Sequence, residues 1–168
     1  EPYRRQRQMC IRDSAYMEFV TDQLIAFGKA QIEAGADVIA ISDPSGTGEI
    51  LGPKYFKEFA VTYLNKLLEG LQTVGLGTIV HICGHMGSVY NEINEVKSSV
   101  LSFDSVVPMK EARAHLKDRV LMGNVSTYTL EFGEPERVAL LTKNCVKNGS
   151  DIISPACGLG MKSPIKNI

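Results

Sequence analysis

Three side chains in this sequence have the types and spacing of a metal-binding set: His81 and Cys83 in TIVHICGHMG, and Cys157 in DIISPACGLG. Each lies at the end of a short apolar run that is bounded by glycine. Side chains at i and i+2 of a β-strand point to the same face, so we expect His81 and Cys83 to project together. One imidazole and two thiolates suit Zn²⁺ and leave a fourth position open for water or substrate. The set therefore predicts a catalytic rather than a structural zinc site.

A structural role for these cysteines is the alternative. Cysteine is among the most buried residue types and often behaves as a small apolar side chain. An H-x-C pair is therefore weak evidence for a metal when it stands alone. Cys157 favours the metal interpretation, because its position between Pro155 and Gly158 at a strand end offers a packing cysteine no special advantage. The residue types alone leave both interpretations open.

The composition is that of an ordinary globular protein. The chain has 168 residues, of which 44% are hydrophobic and 22% charged, and its net charge is −1. This charge does not favour a nucleic-acid partner, and no apolar run reaches the ~20 residues that span a bilayer. The four cysteines lack the dense spacing of a disulfide framework, and no signal-peptide pattern is present. We expect a cytoplasmic protein with reduced thiols and no membrane partner.

The first 13 residues differ from the rest of the sequence. EPYRRQRQMCIRD contains four arginines and shows no apolar periodicity. The run RQRQMCIRDS resembles a translated sequencing-adapter tail, although a basic arm with a function is the alternative. We expect residues 1–13 to be a non-native or disordered leader without packed contacts, and residues 14–168 to form the domain.

From Ser14 onwards, helical and extended patterns alternate. Apolar residues recur every three or four positions from Met17 to Phe27, and Gly52-Pro53 and Glu134-Pro135 are typical of helix starts. Further helices are predicted at about 88–98 and 109–118. The predicted strands are the apolar runs at 36–44, 78–85, 100–107, 119–126 and 151–158. This alternation predicts an α/β fold with a parallel sheet and right-handed crossovers.

The strand spacing, close to about 30 residues, matches the unit of a (β/α)₈ TIM barrel. Polar and special residues follow the strands at their carboxyl ends, which is where a barrel carries its active site. A doubly wound dinucleotide fold is disfavoured because no G-x-G-x-x-G follows the first strand. Five strands cannot close an eight-stranded barrel, so we expect the C-terminal five βα units of one, truncated at the N-terminal side, and inactive by itself.

Several motifs together resemble the uroporphyrinogen decarboxylase superfamily, and within it the zinc-dependent methylcobamide:coenzyme M methyltransferases. The resemblance covers nearly everything from Ser14 to Ile168. It is carried by ISDPSG (41–46), LGPKYFKEFAVTYL (51–64), VHICGH (80–85), RVLMGNVS (119–126) and ISPACGLGMKSPIKNI (153–168). It implies a barrel whose zinc is held by His81, Cys83 and Cys157.

The resemblance also implies a reaction. A member of the methyltransferase branch would move a methyl group to a small thiol such as coenzyme M, and the methylcobamide would be supplied by a partner corrinoid protein. The decarboxylase branch, which acts on a tetrapyrrole without metal, is the alternative. A non-enzymatic barrel remnant is a third. The zinc set favours the first, since a metal-free decarboxylase has no need of two cysteine ligands.

Other residues are weaker candidates. Asp43 is expected either to orient His81 or to cap the following helix, and Asp104 either to serve as a fourth zinc ligand or to be a polar strand-end residue. Asn124 is expected to line the pocket. Gly158 suits close backbone approach, and Lys162 could meet an anion such as a sulfonate or be solvated.

Two further residues are expected to be bystanders. His85 lies beyond the end of its strand and is interpreted as a loop residue rather than a ligand. Cys145 falls inside a helix with Leu141 on its face and is interpreted as a core cysteine.

Overall fold

A computed structural model describes the backbone of residues 2–71 and 77–168, and the side chains of 13–71 and 77–168. Helices and strands alternate through most of it, as the sequence predicts. The elements are α1 (Pro2–Glu33), β1 (Val38–Asp43), α2 (Gly48–Tyr55), a π-helical segment (Phe56–Val61), α3 (Thr62–Leu71), β2 (Gly77–Ile82), α4 (Tyr90–Ile93), β3 (Val100–Phe103), α5 (Met109–His115), β4 (Val120–Met122), α6 (Thr127–Phe132), α7 (Pro135–Lys147) and a 3₁₀ turn (Ile165–Asn167).

The four strands form one parallel sheet in the order β1-β2-β3-β4. Each strand therefore pairs with the next one along the chain, and the helices lie between them in sequence. His81 on β2 is in register with Ser42 on β1 and with Ser102 on β3. The carboxyl ends of the strands consequently meet at one edge, where the candidate site residues lie.

The two faces of the sheet differ in their exposure. On one face, Ile39, Val80, Leu101 and Leu121 are buried, and Val80, Leu101 and Leu121 belong to a core shared with the helices. The alternate residues lie on the opposite face, which we call the open face. It consists of Val38, Ala40, Ser42, Gly77, Ile79, His81, Val100, Ser102, Val120 and Met122. Strand periodicity thus places His81 away from the core side.

The predicted fifth strand is not a regular strand. Residues 151–158 run parallel to β4 but make only two isolated bridges, Met122 to Ile152 and Val125 to Pro155. The interruption lies at Gly123, where φ is 130° and the carbonyl accepts from the Ser150 hydroxyl at 2.7 Å instead of from a backbone N–H of the 151–158 segment. The sheet among the described residues therefore has four strands rather than the five we expected.

Several helix boundaries also differ from prediction. A helix does open at Gly52-Pro53, as expected, but α2 already begins with a turn at Gly48, which the Thr47 side chain caps by accepting a hydrogen bond from the Ile50 N–H. Gly52, with φ 64°, then kinks this helix before Pro53. The helix expected at about 88–98 is limited to α4. Helix α6 was not predicted; its cap is Ser126, which accepts from the Thr129 N–H.

The leader is helical along its backbone, which differs from the lack of regular structure that we expected. Helix α1 begins at Pro2 and continues to Glu33. Arginine, glutamine and methionine, which dominate this segment, are good helix formers, so the helix can propagate backwards from Ser14. Side-chain contacts of residues 1–12 lie outside the described part. That residues 1–13 are foreign to the native protein stays a prediction.

No helix in the described part of the chain is both long enough and apolar enough to cross a membrane.

Candidate metal centre

His81 and Cys83 are placed at the carboxyl end of β2 by strand periodicity. His81 and Cys83 are both partly exposed, whereas Ile82 between them is fully buried in the core. The Cys83 N–H donates to the Asp43 carbonyl at 3.3 Å, which continues the pairing with β1 one residue beyond the strand. The buried Ile82 therefore anchors the two candidate ligands on one face, as the i and i+2 spacing predicts.

Cys157 reaches the same place through the segment that follows α7. The Val125 N–H donates to the Ser154 carbonyl at 3.1 Å, and the Ala156 N–H donates to the Val125 carbonyl at 2.8 Å. These bonds hold the chain beside the end of β4 up to the residue before Cys157. The thiol itself is exposed.

The three candidate ligand atoms converge. His81 Nε2 lies 3.4 Å from Cys83 Sγ, the two sulfur atoms are 3.8 Å apart, and all three atoms lie within 4.8 Å of one another. Tetrahedral zinc, with bonds of about 2.3 Å to sulfur and about 2.0–2.1 Å to nitrogen, places two sulfurs about 3.8 Å apart and a sulfur and nitrogen about 3.6 Å apart. The donor set and its spacing thus fit this ion, and the cluster could hold a metal.

The electrostatic surroundings of Cys83 and His81 favour the neutral form of both side chains in the absence of a cation. The pKa of the Cys83 thiol is raised to about 11, and burial is the largest cause. The Cys157 thiol adds to that rise, and so do the carboxylates of Asp104 and Asp43. Burial also lowers the pKa of His81, although Asp104 opposes this effect. A neutral imidazole is the form that binds a metal, whereas the Cys83 thiol must lose its proton.

Comparison with known proteins places the chain in a family. Residues 12–168 match the family model for uroporphyrinogen decarboxylase (URO-D). The chain belongs to the uroporphyrinogen decarboxylase family.

Relatives in this family include methyltransferases and decarboxylases. The chain is 30% identical to the methylcobamide:CoM methyltransferase MtbA of Methanosarcina acetivorans over 155 residues, which are 92% of this chain and 46% of that protein. It is 31% identical to the uroporphyrinogen decarboxylase of Hydrogenovibrio crunogenus over 126 residues, covering 73% of this chain and 35% of that protein. The chain thus spans less than half the length of these relatives.

A solved methyltransferase structure is similar to this chain in fold. A methyltransferase from Methanosarcina mazei superposes with a TM-score of 0.80 at 29% sequence identity. The match covers 88% of this chain and 44% of the other. The α/β architecture with its parallel sheet therefore corresponds to about half of a methyltransferase of this family.

Asp43 and Asp104, two candidate residues of this URO-D family member, lie near the cluster, but their carboxylates accept hydrogen bonds from backbone N–H groups. Asp43 Oδ1 accepts from the N–H groups of Ser45 (3.0 Å) and Gly46 (2.7 Å), so it caps the turn after β1. The contact with His81 that we expected from Asp43 is made by Ser102 instead. The cap of α2 is Thr47 rather than Asp43. Asp104 Oδ2 accepts from the Gly84 N–H at 3.4 Å, and its oxygens are not part of the three-residue cluster.

Asn124 supports the loop that follows β3. It is 8% exposed, and its amide donates to the carbonyls of Asp104 (2.8 Å) and Val107 (2.7 Å). Cys145 is buried, as expected, and its thiol donates to Asn124 Oδ1 at 3.7 Å. Asn124 also lines a cavity of about 170 Å³ with Met109, and no cluster residue is part of that lining. Its contacts are those of a structural residue.

The remaining candidates lie at the surface. Gly158 and Lys162 are exposed in the segment after Cys157, and a side chain added at Gly158 would meet open space. At Gly160 an added Cβ would meet the end of the Glu131 side chain, which can move away. His85 is exposed and pairs with Glu49, with 3.4 Å between His85 Nε2 and Glu49 Oε1.

Ser102 is the contact of His81 that the sequence reasoning missed. His81 Nδ1 lies 3.1 Å from Ser102 Oγ, and Ser102 is 4% exposed. The sequence does contain a signal for this contact, because His81 and Ser102 each lie one residue before the end of two neighbouring parallel strands. Finding it required the register between β2 and β3, which periodicity within one strand does not define.

Proposed function

We propose that this chain is the metal-bearing part of a zinc-dependent methyltransferase that moves a methyl group from a methylated corrinoid protein to a small thiol such as coenzyme M. The observation that carries the proposal is the convergence of His81, Cys83 and Cys157. Thiolate ligands select zinc over hard cations such as Mg²⁺, and such a site suits a sulfur substrate. The methylcobamide:CoM methyltransferases among the relatives support the same reaction class.

The residues of the cluster have separate roles in this proposal. Cys83 and Cys157 supply two negative charges, and His81 adds none while it is neutral. When bound, zinc would lower the pKa of a coordinated substrate thiol and hold it as the thiolate nucleophile. Asp104 is the proposed fourth ligand in the absence of substrate. Its carboxylate is near enough to affect the pKa of both His81 and Cys83.

We also propose that the sheet is the C-terminal part of a (β/α)₈ barrel. Parallel sheets are normally covered on both faces, whereas the open face here carries Val38 and Val120 at 43% and 41% exposure. Strands contributed by the other half of such a barrel would cover it. The corrinoid protein would then dock at the carboxyl ends of the strands, where Gly158 and Lys162 lie beside the cluster residue Cys157.

A chimera tests the function. Residues 14–168 would replace the matching region of the Methanosarcina mazei methyltransferase, and zinc content and methyl transfer from methylcobalamin to coenzyme M would be measured. We expect about one zinc per chain and a measurable rate. Cys157→Ser should abolish both, whereas the matched control Cys145→Ser, a buried cysteine outside the cluster, should retain both.

Two results would contradict the proposal. Zinc binding that survives Cys157→Ser would show that the cluster is not the metal site. A chimera without zinc that decarboxylates a tetrapyrrole would favour the decarboxylase alternative. The chain is similar to uroporphyrinogen decarboxylases as well as to methyltransferases, which is why this alternative is tested.

A further inference from the structure

His81 lies between two serines on neighbouring strands. The parallel register places Ser42 of β1 on one side of it and Ser102 of β3 on the other. All three residues lie on the open face, because in-register residues of neighbouring strands point the same way. The two serines differ in their surroundings, since Ser42 is exposed and Ser102 is 4% exposed. The imidazole hydrogen-bonds to the buried one, with 3.1 Å between Nδ1 and Ser102 Oγ.

The two ring nitrogens of His81 therefore have different partners. Nε2 lies 3.4 Å from Cys83 Sγ, within the cluster, and Nδ1 faces Ser102. A neutral imidazole carries one proton, and only the unprotonated nitrogen has a lone pair for a metal. If the proton is on Nδ1, the Ser102 oxygen accepts it in a hydrogen bond and the Nε2 lone pair points into the cluster.

We infer that Ser102 is a positioning residue for the metal centre, because its hydroxyl holds the His81 ring in the Nδ1–H tautomer with Nε2 presented to the metal. The inference rests on the proposed function, since it concerns how one ligand is prepared. Ser102 itself touches neither metal nor substrate. Metal-binding histidines commonly donate their second ring N–H to a fixed oxygen, and loss of that partner weakens metal affinity about 10- to 100-fold.

Zinc affinity of the purified chain, measured by competition with a chromophoric chelator at the same low protein concentration for every variant, below the range in which sedimentation shows self-association, tests the role of the hydroxyl. We expect Ser102→Ala to bind zinc about 10- to 100-fold more weakly. Ser102→Thr keeps the hydroxyl and favours a strand, so it should restore wild-type affinity. Ser42→Ala is the matched control on the exposed side of the ring and should bind like wild type. Unchanged affinity in Ser102→Ala would overturn the inference, as would an equal loss in Ser42→Ala.

A second measurement does not depend on how the variants fold. Nitrogen-15 chemical shifts of His81 in the metal-free wild-type chain, recorded above about pH 8 where histidine is neutral, report the tautomer directly. We expect the Nδ1–H form, and an Nε2–H form would overturn the inference. A wild-type chain that binds no zinc would instead contradict the proposed function, while the tautomer would still decide the role of Ser102.

Discussion

At the residue scale, Asn124 shows how a polar residue at a strand end can be structural. Its side-chain amide donates hydrogen bonds to two backbone carbonyls of the loop after β3, and the residue is almost completely buried. Asn124→Ala would leave the carbonyls of Asp104 and Val107 without this donor. We expect the free energy of unfolding to fall by about 1–3 kcal/mol. Denaturant unfolding measures this loss.

The zinc content of the same variant distinguishes a structural role of Asn124 from a role in the metal site. We expect the folded Asn124→Ala chain to keep its zinc, because the hydrogen bonds of the Asn124 side chain in the described structure go to Asp104, Val107 and Cys145 and to none of the three cluster residues. Asn144→Ala, which lines the same cavity, is the control for local repacking and should cost less. Loss of zinc from folded Asn124→Ala would assign it to the site instead.

The sequence could place the three candidate ligands but not the contacts that support them. The i and i+2 spacing of His81 and Cys83 follows from strand geometry, and the structure confirms that Cys157 joins them. The contact between His81 and Ser102 depends on the pairing of two strands separated by a helix. Asp43 was a candidate for that contact, but its side chain instead caps its own turn, a local preference that aspartate often satisfies.

At the scale of elements, an ion pair anchors the segment that carries Cys157. Asp151 Oδ2 accepts from the Leu121 N–H at 2.8 Å and from the Arg113 guanidinium. Arg113 on α5 also donates to the Gly149 carbonyl through Nε at 2.9 Å. These hydrogen bonds of Asp151 and Arg113, which we call the clamp, therefore fix the start of the 151–158 segment against β4 and α5. Asp151→Asn should destabilise the chain by about 1 kcal/mol, a modest value because the Asp151 side chain is 48% exposed.

The pH dependence of this effect has a defined sign. The Leu121 N–H, and then Arg113, hold the pKa of Asp151 below its usual value of 3.8. A depressed folded-state pKa contributes stability that is present above the unfolded value and lost as the pH falls through the folded one. Thermal unfolding of wild type and Asp151→Asn should therefore differ at neutral pH and begin to converge as the pH falls below about 3.8. Glu134→Gln, in an exposed 4.0 Å pair with Lys166, is the control and should change little. A difference that persists in acid would contradict the clamp.

The order of elements followed from sequence periodicity, whereas their limits did not. Three of the four strands lie within predicted runs, and β2 begins at Gly77, one residue before its run, because continuous apolar residues fix the strand cores but not their limits. The fifth run makes only isolated bridges with the chain around β4, because the Gly123 carbonyl is taken by the Ser150 hydroxyl, a side-chain contact that strand periodicity does not predict. Helix α6 was missed because six residues are too few for a periodic signal, and only the Ser126 cap marks it.

At the scale of the whole molecule, the sheet has one covered and one open face. The helices cover the face of Val80, Leu101 and Leu121, whereas the open face has no comparable cover among the described residues. Each 100 Å² of apolar surface removed from water contributes about 2.5 kcal/mol, so a few such patches equal the stability of a whole domain. Within residues 2–71 and 77–168, β1 is also an edge strand that pairs with another strand on one side only. Both features favour association with other copies of the chain.

We therefore expect the isolated chain to self-associate through the open face. Sedimentation velocity over a range of concentrations should show dimers or larger species. The double variant Val38→Lys and Val120→Lys places charges on the open face and should shift the chain towards the monomer. Val146→Lys adds the same charge at an exposed valine on α7, 57% exposed, and should leave association unchanged. A wild-type chain that stays monomeric and unfolds cooperatively would contradict this, because the open face would then be stable in water without the strands that we propose to cover it.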